Sequence, residues 1–115
     1  MRDTLRKDMK IILDIYKIIK EFPDRESFAL NDQTRRAVIS ITSNIAEGFT
    51  RKSEKEKIKF YFISLGSLVE VQNLLLIARD VGYLKRDGFS KIAEQTIELS
   101  KLINGLIKSS SSKPA

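Results

Sequence analysis

The chain has 115 residues, 42% of them hydrophobic and 31% charged, and it contains neither cysteine nor histidine. That length suits one domain that buries its core without staples. The missing residue types exclude disulfides, thiolate–zinc sites, cysteine nucleophiles and any Ser–His–Asp triad. A metal could be held by carboxylates alone, and no cofactor is expected. With 21 Lys and Arg against 15 Asp and Glu, the net charge is +6, a balance that points to nucleic acid or an acidic surface as partner. A solvated lysine-rich surface is the plainer alternative. No stretch approaches 18 uncharged apolar residues, and the amino terminus has no uninterrupted apolar run, so no membrane partner and a cytoplasmic location are expected.

Apolar residues recur at helical spacing four times and nowhere alternate as in strands, which predicts an all-α chain. The first helix is expected over residues 4–22, stopping before Pro23. Leu5, Met9, Ile12, Tyr16 and Ile19 form one stripe, and Ile11, Ile15, Ile18 and Phe22 form a second beside it. Together they cover about half the circumference, which predicts contact with two neighbours. A connector over residues 23–30 should lead to Asn31 as N-cap of a second helix. That helix is expected to end at Ala46 or Glu47, with Gly48 just past it. Its apolar stripe is Ala37, Val38, Ile41, Ile45 and Phe49. A polar row of Arg36, Ser40, Ser43 and Glu47, with Asn44 at its edge, requires a reason inside a helix.

Ser53-Glu54-Lys55-Glu56 has the spacing of a capping box, opening a third helix that runs to about Asp80 and stops at Gly82. Its main stripe is Ile58, Tyr61, Phe62, Leu65, Leu68, Val69, Leu75 and Leu76. A second, of Phe60, Ile63, Val71, Leu74 and Ile77, lies almost opposite. Gly66 and Ser67 are small enough for another backbone to come close. Covering both faces calls for an oligomer. The fourth helix is expected from Asp87 to Lys108, with Phe89, Ile92, Thr96, Leu99, Ile103 and Leu106 inward. Residues 1–108 then form one domain, an antiparallel up-down-up-down bundle, and the serine-rich residues 109–115 a disordered tail.

Residues 51–59 carry five cations in nine positions. Lys52, Lys55 and Lys59 would share one face if the third helix extended back that far. Phosphate binding is the functional reading of this run and a solvated charged face the alternative. Arg35 and Arg36 add to the possible basic surface, as do Arg2, Arg6, Lys7 and Lys10. No aromatic residues alternate with these cations as in a single-strand stacking platform, so binding would rest on the phosphate backbone and be salt-sensitive. The polar row holds serines and one glutamate without a histidine or lysine base, which argues against an enzyme.

The run Gln33-Thr34-Arg35-Arg36-Ala37-Val38-Ile39-Ser40-Ile41-Thr42-Ser43-Asn44-Ile45-Ala46-Glu47-Gly48-Phe49 resembles the signature of bacterial four-helix-bundle proteins encoded in ribosomal-RNA intervening sequences. Phe22-Pro23 with Glu26 and Leu30 matches that family's first connector. The segment Phe60-Tyr61-Phe62-Ile63-Ser64-Leu65-Gly66-Ser67-Leu68-Val69-Glu70 resembles its third-helix motif, and Ala78-Arg79-Asp80-Val81-Gly82-Tyr83-Leu84 the close of that helix. Thr42 stands where the family often has proline. The resemblance implies a four-helix bundle assembling as a homo-oligomer, with ring-shaped pentamers the expected form. The chain is also similar to the accessory variability proteins of diversity-generating retroelements, basic barrels that bind nucleic acid and a reverse transcriptase. The family has no catalytic residues to transfer, and Arg36, Ser40, Asn44, Glu47 and Gly48 carry over as structural or interface positions.

The expected function is therefore non-enzymatic binding of RNA or DNA backbone by an oligomer, through Arg35, Arg36, Arg51, Lys52, Lys55, Lys57 and Lys59. A protein-interaction scaffold is the alternative. Net charge is +2 over residues 1–22, −1 over 23–49, +2 over 50–84 and +3 over 85–115. In sequence the excess is thus spread over three helices.

Overall fold

A computed structural model describes residues 2–113, apart from the side chains of residues 2–5 and 24–27. The side chains of Arg2, Leu5 and Glu26, and residues 114 and 115, lie outside the described residues. The chain forms four helices, α1 (Arg2–Lys20), α2 (Asp24–Thr50), α3 (Glu54–Asp80) and α4 (Arg86–Ser111). No strand occurs among the described residues. Helix α1 packs on α2 and α4, and α3 packs on the same two, so the neighbours close a square around one core. The body measures 50 × 23 × 20 Å.

Each helix buries one seam whose positions alternate by three and four, the spacing that keeps a helix facing a nearly aligned neighbour. On α2 the buried residues are Asn31, Thr34, Val38, Ile41, Ile45 and Gly48, with Ala37 beside them. On α3 they are Tyr61, Ser64, Leu68, Val71, Leu75 and Ala78. On α4 they are Ile92, Thr96, Leu99, Ile103 and Ser110. Helix α1 contributes Ile11, Ile12, Ile15, Ile19 and then Phe22 just past its end. The core of α3 therefore runs between the two expected stripes. Phe62, Val69 and Leu76, expected inward, face outward, because the small residues Ser64 and Ala78 take the interior positions.

Helices α2 and α3 approach closely. Ser64 Oγ donates to the Ile41 carbonyl at 2.8 Å, Ser40 and Ser67 hydroxyls meet at 2.7 Å, and Gln33 donates to Glu70. Ser40 of the polar row thus joins two helices, while Asn44 Nδ2 donates back to the Ser40 carbonyl at 2.8 Å.

Several boundaries differ from expectation. Residues 24–30, read as connector, are helical, because the break at Pro23 is enough. Its fixed φ of −62° suits a helix start, and its missing N–H costs nothing there. Asn31 is a buried interior residue and not a cap. Gly48 lies inside α2, which continues to Thr50. Its reason is proximity, since a methyl group built on Gly48 would lie 2.8 Å from Tyr61 Cδ1 and closer still to Cε1. Helix α4 begins at Arg86, one residue before the expected cap, and continues through Ser111 into the expected tail. Ser111 Oγ donates to the Ile107 carbonyl at 2.8 Å and Ser112 Oγ to that of Ser109 at 3.0 Å, so the serines complete the last turns. The stop at Gly82 holds: it has φ +86°, and Gly82 N and Tyr83 N close on the Arg79 and Ala78 carbonyls. Ser53 caps α3, accepting from Glu56 N at 3.1 Å.

Helix α3 is also long and apolar enough, by length and composition, to cross a membrane, with a window of mean hydropathy 1.6. The expectation that the chain holds no such segment is corrected on this point. Here α3 serves as a core helix, its polar Ser64, Ser67 and Gln72 bonded to neighbouring helices.

One core position is anomalous. Asp8 on α1 is 1% exposed, and neither carboxylate oxygen has a hydrogen-bond partner. It borders a cavity between α1 and α2 lined by Met9, Thr42, Ser43, Ile45 and Ala46. Burial disfavours the charged form, raising its pKa from 3.8 to about 6. Between these values the folded chain binds the proton more tightly than the unfolded chain, so stability falls as pH rises through this window. Asp8→Asn should therefore melt higher than wild type above pH 6, with the gain shrinking towards pH 4 in parallel thermal melts. Gly48→Ala should destabilise by about 1–2 kcal/mol in urea titrations, overpacking outweighing the gain in helix propensity. Adding Tyr61→Leu should make the alanine much less costly, since the ring it strikes is gone.

Candidate nucleic-acid interface

Cations distant in sequence are gathered at one end of the bundle. Asp8, near the start of α1, lies beside Ile45 and Ala46 near the end of α2. Lys113, after α4, reaches Glu54 at the start of α3, with Nζ 3.8 Å from Oε1. This end thus holds exposed Arg6, Lys7 and Lys10 of α1, the 51–59 segment, and Lys108 and Lys113 at the close of α4. Lys108, at the expected end of the fourth helix, and Lys113, in the expected tail, are the cations of this end that sequence reasoning missed. Only the helical continuation of the serine run carries Lys113 here.

The seven expected phosphate partners have separate fates. Arg35 and Arg36 are exposed on α2, about 24 Å along the helix from Arg51 at 1.5 Å per residue. They are therefore not part of the end cluster. Arg36 also pairs with Asp32 at 3.2 Å. Arg51 is held by Glu47 at 2.8 Å and stacks 4.6 Å from the Phe60 ring centroid. Lys57 is spent on the fold: its Nζ donates to the Gly48 and Phe49 carbonyls at 3.2 and 3.1 Å, a cation on the negative end of the α2 dipole.

Lys52, Lys55 and Lys59 remain exposed, and no ion pair involves them among the described residues. The shared helical face expected of them is reduced to Lys55 and Lys59. Helix α3 starts at Glu54, so Lys52 lies in the preceding turn. Glu54 and Glu56 occupy the first turn of α3, where acids suit the dipole and offset the lysines.

Beside this surface, Phe49, Lys57, Tyr61, Leu106, Ser109, Ser110 and Lys113 line a cavity of about 290 Å³. Burial, and then the Glu54 carboxylate, push the Tyr61 phenol above its ordinary pKa of 10.0 and so favour its neutral form. No cluster of acidic side chains able to hold a metal occurs among the described residues. The arrangement offers charge and hydrogen-bond donors.

The division between structural and free cations is measurable. Lys57→Met should cost about 1 kcal/mol of unfolding free energy, the worth of a charged donor on helix carbonyls. Lys55→Met should stay within about 0.5 kcal/mol of wild type, as exposed substitutions do.

The chain matches the family described as 23S rRNA-intervening sequence protein over residues 3–105. Its fold is similar to the crystal structure of a protein with unknown function from the S23 ribosomal protein family of Bacteroides thetaiotaomicron. The TM-score is 0.83 at 24% identity, covering 91% of this chain and 98% of that one. No curated protein matches. A match over nearly the whole chain, on a four-helix fold, means that this protein belongs to the 23S rRNA-intervening sequence protein family.

Proposed function

We propose that the protein is a non-enzymatic, homo-oligomeric four-helix bundle of up-down-up-down topology that binds the backbone of RNA or DNA through its cationic end. The observation that carries this is the exposed, unpaired trio Lys52, Lys55 and Lys59, at the same end of the bundle as the exposed Arg6, Lys7 and Lys10 of α1 and Lys108 of α4. Polyanion binding needs such charge density and little shape. The reversal seen along α2 and α3, where Gln33 meets Glu70 and Ile41 meets Ser64, supports the antiparallel topology. The family's description ties these proteins to 23S rRNA, which makes ribosomal RNA the first polyanion to test. A ring of copies, five being the form the resemblance implies, would repeat a modest patch around an axis and supply avidity.

A second reading, a scaffold that docks another protein, is favoured by the apolar outer face of α3, where Phe62 and Val69 are 55% and 59% exposed. Retardation of labelled ribosomal RNA across a salt series separates the two. The wild type should bind at low salt and lose affinity as salt rises. Lys52→Glu, Lys55→Glu and Lys59→Glu combined should weaken binding. They should also flatten the log–log salt slope by roughly 2–3, at about 0.7–0.9 for each phosphate no longer neutralised. Binding that the triple variant leaves unchanged removes this surface from consideration, and absent binding at low salt favours the scaffold.

A further inference from the structure

A carboxyl group inside a bundle normally has a partner, and Asp8 has none within the chain. It lies beyond the first turn of α1, so it neither caps the helix nor meets the positive end of its dipole. Both oxygens are buried and without a hydrogen bond. No ion pair involves Asp8 among the described residues. On its own helix Arg6, Lys7 and Lys10 are exposed. Of the neighbouring helices, α2 offers Glu47, which holds Arg51, and α4 offers the exposed Lys108. Burial is the one cause of its raised pKa. A buried polar group left unpaired costs folding energy in either protonation state.

The cavity that Asp8 borders has a volume of about 330 Å³, within the roughly 300–1,000 Å³ of small-molecule pockets. Met9, Ile45 and Ala46 make its wall largely apolar, and Thr42 and Ser43 add two hydroxyls. Thr42 Oγ1 donates to the Ile39 carbonyl at 3.1 Å, so its lone pairs remain free to accept. Met9 is 48% exposed, and its unbranched thioether chain adapts readily to a new neighbour.

We infer that the cavity between α1 and α2 binds a small organic cation, a primary ammonium on a short apolar body, with the ammonium on the Asp8 carboxylate and Met9 swinging aside to admit it. An ammonium has three donors, and Asp8, Thr42 and Ser43 supply three acceptor groups. The charged pair satisfies the buried carboxylate, while the apolar body covers Ile45 and Ala46. Other occupants fit less well. A divalent cation asks for about six oxygen ligands, and the wall holds a single carboxylate. An anion would be repelled, and a neutral molecule would leave Asp8 unpaired. A second positive charge on the ligand would meet Arg6, Lys7 and Lys10, so a monoamine is favoured over a polyamine. Nucleic acid has no part in this site, since Asp8 repels phosphate.

The test is an NMR titration of the full chain, labelled with carbon-13 at the methyls of its two methionines. Met9→Leu assigns the Met9 signal, and the probes are n-butylammonium chloride, 1-butanol and sodium chloride. At about pH 7.5, n-butylammonium should shift the Met9 signal saturably, whereas 1-butanol and sodium chloride at equal concentration should not. An alkylammonium, like lysine with its pKa of ~10.4, stays charged throughout. Asp8, with a pKa of about 6, is ionised roughly ten times more often at about pH 7.5 than at about pH 5. Apparent affinity should therefore rise about tenfold between the two. Asp8→Asn, checked for helicity by circular dichroism, should lose the response. Absence of a shift at the higher pH overturns the inference. So does a response that Asp8→Asn retains, that 1-butanol matches, or that pH leaves unaltered. Retardation of ribosomal RNA plays no part in these outcomes, so failure here and failure of the nucleic-acid reading are separate results.

Discussion

The closeness of α2 to α3 is the constraint on which the remaining structure depends. Three contacts of small groups permit it: the bare Cα of Gly48 under the Tyr61 ring, the Ser64 hydroxyl on the Ile41 carbonyl, and the paired Ser40 and Ser67 hydroxyls. Hydroxyls in a helix interior carry a propensity cost, here offset because each is bonded across or within the pair. Once the two helices are set at this spacing, Tyr61 reaches the end of α2 and packs on Phe49 with ring centroids 6.0 Å apart. The same approach places Lys57 on the last carbonyls of α2. The packing of Tyr61 and the capture of Lys57 are thus consequences of one helix pair.

The cationic end shows why net charge is a poor guide to a surface. Lys57 neutralises a helix terminus, Arg51 is held between Glu47 and Phe60, and Arg36 faces Asp32. What remains available to a polyanion is set by which cations lack an internal task. The fold also adds residues that composition cannot place, bringing the start of α1 and the close of α4 beside residues 51–59.

Helix number and type are legible in the sequence because the 3–4 spacing of Ile and Leu persists over long stretches, as in Ile92, Leu99 and Ile103. Gly82 and Ser53 are legible because their roles are local: a positive φ and a side-chain cap. The start of α2 is not, since residues 24–30 hold no apolar period to betray a helix. Gly48 is ambiguous for a related reason. A glycine near a helix end suits a stop equally well, and only the Tyr61 ring, 13 residues on, decides otherwise. The seam of α3 is hidden because Ser64 and Ala78 do not register as strongly apolar, whereas Phe62, Val69 and Leu76 do. Of the expected phosphate partners, the exposure of Lys52, Lys55 and Lys59 follows from local polarity. The capture of Lys57 and Arg51 depends on tertiary neighbours that spacing does not reveal.

Helix α1 stands apart in how it is held. It touches α2 and α4 less extensively than α3 does, and one of its interior positions is the unpartnered Asp8. Helices α2, α3 and α4 follow one another in the chain and pack in that order, so their contacts need only short loops to close. They have the makings of a cooperative unit that forms early, with α1 docking last onto its open side. Release of α1 with the other three helices folded would then be the least costly partial opening of the bundle. In that state Ile41, Ile45 and Ile103 would briefly face water, and amide exchange in α1 would outpace exchange in α3.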